Sequence, residues 1–63
     1  MNSDPEYVEI IGTTLRETDD AVLIEFADGE VWLPKSQLEG WPDVGEEGDV
    51  VMPYWLAMDK ELI

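Results

Sequence analysis

The chain has 63 residues, 44% of them hydrophobic, and sets 16 Asp and Glu against three cations, Arg16, Lys35 and Lys60, for a formal charge of −13. It has no cysteine and no histidine, which removes disulfide frameworks, the usual zinc sites and nucleophile–histidine catalysis. A domain near this size buries only about 60% of the surface its unfolded chain exposes, so one small core drawing on three Trp, two Tyr and one Phe must hold it together.

The whole chain, 1–63, reads as a single domain, with MNSDP (1–5) as a loose polar lead. No basic stretch precedes an apolar run at the start, and no apolar run approaches the roughly 18 residues of a spanning helix. The expectation is a soluble, cytoplasmic protein with no membrane partner.

YVEIIGTTLRET (7–18) is rich in β-branched residues, and Val8, Ile10, Gly12 and Thr14 alternate onto one face. A glycine in mid-strand predicts a bulge or a sharp bend, as at the corner of a small barrel. Thr18-Asp19-Asp20 is a turn, because Asp side chains hydrogen-bond nearby backbone. Asp28-Gly29 reads as a two-residue hairpin turn of the kind that needs positive φ at both positions. That turn would set Ala27 against Glu30, Phe26 against Val31, Glu25 against Trp32 and Ile24 against Leu33. Val22, Ile24, Phe26, Val31 and Leu33 then share a core face, with Leu23, Glu25, Trp32 and Pro34 on the other.

Pro34 donates no ladder hydrogen bond and ends the strand. PKSQLE follows as a 3₁₀ turn leading to Gly40, with Leu38 turned inward and Lys35 placed to pair with a neighbouring carboxylate. GWPDVGEEGD (40–49) is a glycine- and acid-rich loop, DVVMP (49–53) a last short strand, and PYWLAMDKELI a helix with Pro53 at its first position. Trp55, Met58 and Leu62 recur at i, i+3 and i+7, and a helix this short must dock such a stripe, for which Leu23 and Trp32 offer a platform. The fold class is mainly β: a small antiparallel sheet curled toward an SH3-like barrel, with a short C-terminal helix. An open antiparallel sheet crossed by one helix is the alternative.

Catalysis is not expected. Ser36 beside Lys35 is a turn serine with no second base, and paired carboxylates need a cleft that a chain this short has little room to form. Asp43, Glu46, Glu47 and Asp49 lack the alternating spacing and central Gly of a calcium loop, so neither metal nor cofactor is expected. Direct nucleic-acid binding fails on sign, because it depends on Lys and Arg neutralising phosphates. The converse reading survives. A folded chain of this length is roughly 27 Å across, and duplex DNA over that distance carries about 16 charges. An acidic domain of that density could occupy the positively charged groove of a nucleic-acid-binding enzyme. Candidate partner-binding residues are the turn and loop acids Glu17, Asp19, Asp20, Asp28, Glu30, Asp43, Glu46, Glu47 and Asp49, with Trp41 as an aromatic anchor beside them. The rivals are a salt-adapted structural domain, or acidity that serves solubility alone.

VWLPKSQ (31–37) followed by MPYWLAMDKEL (52–62) resembles small proteins encoded in bacteriophage and prophage genomes, which share a Trp-Leu-Pro-Lys-Ser segment and a closing Pro-x-Trp-Leu-Ala helix. The resemblance covers residues 21–62 loosely and carries over no catalytic residue. It implies a short phage-type accessory protein. Two roles follow: an anti-defence inhibitor that mimics DNA against a host restriction or CRISPR nuclease, or an interaction module of phage DNA replication or recombination.

Overall fold

The computed structural model describes residues 6–63; the lead at 1–5 lies outside them. The elements run β1 (Tyr7–Glu17), β2 (Ala21–Phe26), β3 (Gly29–Pro34), a 3₁₀ turn (Lys35–Gln37), β4 (Glu47–Pro53) and α1 (Tyr54–Asp59). All strand pairs are antiparallel, and the sheet order is β3-β2-β1-β4. β1 serves twice. Its first part, Tyr7 to Thr13, pairs with β4, and its second, from Thr13 to Glu17, pairs with β2.

The change of partner happens at Thr13, next to Gly12. A Cβ at Gly12 would lie 2.6 Å from Ile24 Cγ2 and 2.9 Å from Phe26 Cε1, closer than side-chain carbons come. Only a hydrogen lets the middle of β1 pass against the hairpin's core residues. β1 runs unbroken through Gly12, and the irregularity expected there comes three residues later. The register moves from Thr14 opposite Ile24 to Arg16 opposite Leu23, which leaves Leu15 as a bulge. As expected, the alternate residues of β1 face inward: Val8 and Ile10 pack on the core, and Gly12 and Thr14 are buried.

The expected barrel does not form. β3 and β4 sit at opposite edges and the sheet stays open. β4 is nonetheless covered in its middle, where Glu39 N donates to Val51 O (2.8 Å) and Val51 N to Gly40 O (2.9 Å).

The β2–β3 hairpin forms two residues out of the expected register. Phe26 faces Gly29, Glu25 faces Glu30, Ile24 faces Val31, Leu23 faces Trp32 and Val22 faces Leu33. The turn residues are Ala27 and Asp28. Asp28 does not take the positive φ that the expected turn requires; Gly29 does, at 142°. A slip of two residues preserves every side chain's face, whereas a slip of one would invert them all. Val22, Ile24, Phe26 and Leu33 thus enter the core as expected, joined by Leu38, Val50 and Met52.

The helix departs further from expectation. It spans only six residues, with Pro53 as its N-cap, and buries Leu56 and Ala57. It packs against β4 and β1 on the core side of the sheet, while Trp55 and Met58 are more than half exposed. Met52 already points inward and Pro53 is buried, so the first helical turn brings residues 56 and 57 against the core. The helix ends in a Schellman motif: Leu62 N donates to Ala57 O (2.8 Å), Glu61 N to Met58 O (3.0 Å), and Glu61 takes φ 61°. Leu62 reaches the core from this reversal, not from a helical stripe.

Two substitutions test these points. Gly12→Ala should destabilise the fold by about 1–3 kcal/mol, the scale of overpacking, in urea unfolding; a neutral result would mean that β1 does not lie against Ile24 and Phe26. Glu61→Gly should stabilise by about 0.5–1 kcal/mol by relieving a left-handed non-glycine residue, and a lower denaturation midpoint would contradict the C-terminal motif.

Candidate functional site

Asp4 lies outside the described residues; the other fifteen of the sixteen carboxylates are all exposed. Among the described residues one ion pair forms, between Lys35 Nζ and Glu17 Oε2 at 2.6 Å. Lys35 is set in place by its backbone N, which donates to Asp20 O at 2.8 Å. Its ammonium also stands 5.9 Å from the centre of the Trp41 ring, within cation–π range. The lysine at the exit of β3 thus joins the β1–β2 turn to the acidic loop. Trp41 beneath it is half-buried against the core, so only part of the ring is presented to solvent.

A buried threonine positions the acidic loop. Thr14 is fully buried, and its hydroxyl donates to Pro42 O at 2.7 Å. Its backbone accepts from Gly45 N (2.7 Å) and donates to Glu46 O (3.2 Å). These three bonds hold the loop beside β1, with Asp43 and Glu46 outward and Glu46 N closing a turn on Asp43 O (2.9 Å).

The ten candidate residues do not form one patch. Glu17, Asp19 and Asp20 lie at one end of β2, and Asp28 and Glu30 at the other, separated by roughly 17 Å of strand. A link between acids comes from a residue the turn-and-loop reading passed over. On the outer face, Glu30 is opposite Glu25, Glu25 is opposite Thr13, and Thr13 is opposite Glu47. This row crosses all four strands, with Asp49 in the neighbouring row opposite Ile11. The alternation of AVLIEF already put Glu25 on the outer face; what was missing was its cross-strand company. Glu25 and Glu30 are like charges directly opposed, an arrangement that costs stability.

No protein family, curated protein or solved structure matches this chain. Its own residues must carry the functional reading.

Among the described residues, no group of three or more acidic side chains is placed to hold a metal ion, and no helix is long and apolar enough to cross a membrane. A cleft of about 280 Å³ opens beneath the hairpin tip, floored by Ile10, Phe26 and Leu62 and rimmed by Asp28, Lys60 and Glu61. Aromatic surface lies elsewhere. Tyr54, Trp55 and Met58 are exposed on α1, and Trp32 lies on the outer face of the sheet.

Unbalanced carboxylates repel one another, and the screening length falls from about 10 Å at 0.1 M salt to about 3 Å at 1 M. The thermal midpoint of the isolated domain should therefore rise with NaCl over that range. A flat or falling midpoint would show that the acids are locally compensated.

Proposed function

We propose that this chain is a non-enzymatic binding protein whose carboxylate surface occupies the basic groove of a nucleic-acid-binding protein. The observation that carries the reading is the exposure of all fifteen described carboxylates with one lysine partner among them. The charge is spread more thinly than a 27 Å span suggested, because the longest axis is 40 Å. That leaves about 3 Å of length per net charge, near the 3.4 Å of one DNA strand and about twice the 1.7 Å of a duplex. The surface suits a groove that accepts a single strand at least as well as one that accepts a duplex. Together with the resemblance to phage-encoded proteins, this makes an anti-defence inhibitor of a cytoplasmic restriction or CRISPR nuclease the role that fits best.

A second reading rests on a different observation. Tyr54, Trp55 and Met58 project from α1 at 42%, 54% and 53% exposure, and aromatic side chains commonly anchor protein interfaces. An accessory module of phage DNA replication or recombination would bind through that face, independently of charge.

Affinity capture at low and high salt, followed by kinetics on the captured partner, separates the two. For the inhibitor, the on-rate should fall steeply with ionic strength. Replacing Asp43, Glu46, Glu47 and Asp49 by Asn or Gln should slow association without unfolding the domain, and excess single-stranded or duplex DNA should compete. Unchanged association by this neutralised variant, with no competition from DNA, would defeat this reading. A salt-insensitive partner lost on Trp55→Ala would establish the second.

A further inference from the structure

We infer that the outer edge of β3 is a docking site for an extended segment of the partner in which basic and apolar residues alternate. The inference builds on the proposed basic partner and adds how its main chain is gripped.

The two edges of the sheet differ. β4 is bonded at Val51 by Glu39 and Gly40, whereas no hydrogen bond outside the sheet ladder involves β3 among the described residues. The closing pair of a two-residue hairpin exchanges both of its hydrogen bonds. With Phe26 opposite Gly29, the alternation directs the N–H and C=O groups of Glu30 and Trp32 away from β2, toward an absent neighbour. Pro34, at the end of the strand, has no N–H to offer.

The side chains select that neighbour. Glu30 and Trp32 share the outer face, so a strand added at this edge would set two alternate residues beside them. A cation beside Glu30 would relieve the repulsion between Glu25 and Glu30, and a second beside Trp32 would meet the ring of a tryptophan that is 45% exposed. The intervening residues would fall beside Val31 and Leu33, which face the core. An Arg- or Lys-bearing strand with apolar alternates satisfies all of these positions. A second copy of this chain is disfavoured, because each copy carries −13. Charge on an edge strand commonly blocks association; here it blocks acidic strands and admits basic ones.

The test uses two synthetic peptides of about six to eight residues, a usual strand length, with the same arginine and valine content. In one the residues alternate; in the other they are in blocks. The wild-type chain should bind the alternating peptide about tenfold more tightly, the scale of one or two main-chain hydrogen bonds. The amides of Glu30 and Trp32 should then become protected from hydrogen exchange. A chain made by chemical synthesis with an N-methyl group at Trp32 should lose that preference while keeping its circular dichroism. Should it not fold, Glu30→Lys supplies the same test through the side chain and should also abolish the preference. Equal binding of both peptides, unchanged exchange at Glu30 and Trp32, or a preference that survives both changes would overturn the proposal. Protection of those amides in the peptide-free chain, with a dimeric mass, would replace it by self-pairing. The outcomes also separate this inference from the function proposed above. If neutralising Asp43, Glu46, Glu47 and Asp49 weakens both peptides equally and the N-methyl group has no effect, the charge reading stands and the edge site falls. If only the N-methyl group matters, the reverse holds.

Discussion

The fold depends on a missing side chain. At Gly12 the main chain of β1 passes so close to Ile24 and Phe26 that any Cβ would overlap them. That approach lets one strand be ladder partner to β4 along its first part and to β2 along its second. A side chain there would push Ile24 and Phe26 of the hairpin away from β1. Against the inner face of β1, Val50 and Met52 join one cluster with the hairpin residues Val22, Ile24 and Leu33. Two residues later Thr14 points inward, and its buried hydroxyl has an acceptor because the loop carbonyl of Pro42 lies 2.7 Å away. A buried hydroxyl without such a partner would cost stability, so the same strand that builds the core also places the acidic loop.

Period-two alternation made much of this legible in the sequence. It assigned faces correctly in β1 and in the hairpin, because burial acts residue by residue along a strand. Turn chemistry was a weaker guide. Asp28-Gly29 matched a common hairpin signal, yet the chain turns one residue earlier, at Ala27 and Asp28, and spends its positive φ on Gly29 alone. The helix was misread because helical periodicity was extended past a stop that composition does not announce. Glu61 takes the position that glycine usually occupies, so nothing in KELI marks the end. Turns and acidic runs pointed to most of the candidate surface residues, but not to their arrangement. The row through Glu25 arises from the pairing of strands distant in sequence, and Lys35 finds Glu17 across 18 positions of chain.

The surface and the core make opposite demands. Fifteen exposed carboxylates destabilise a compact state by mutual repulsion, and a domain this small has little apolar burial to set against them. Spreading acids over turns at both ends of β2 and along the outer face limits the repulsion. Lys35 sits where it does most, between Glu17 and the face of Trp41. An isolated exposed pair of this kind contributes about 0–1 kcal/mol, so its larger effect is to fix the geometry where the β1–β2 turn meets the acidic loop. Elsewhere among the described residues no carboxylate is ion-paired.

The hairpin's register also restricts how this chain can vary in evolution. Where the two-residue turn is kept, insertions or deletions beside the Ala27–Asp28 tip shift the pairing beyond it, and the sheet reads that change modulo two. An even change in length would move Val31 and Leu33 along the core while keeping them inside it. An odd change would exchange them with Glu30 and Trp32, turning a carboxylate inward and aliphatic residues outward. A compensating bulge, such as the one β1 carries at Leu15, or a longer turn, would absorb it. Length variants that keep a two-residue turn should therefore differ by pairs of residues, or carry a second irregularity that restores the parity.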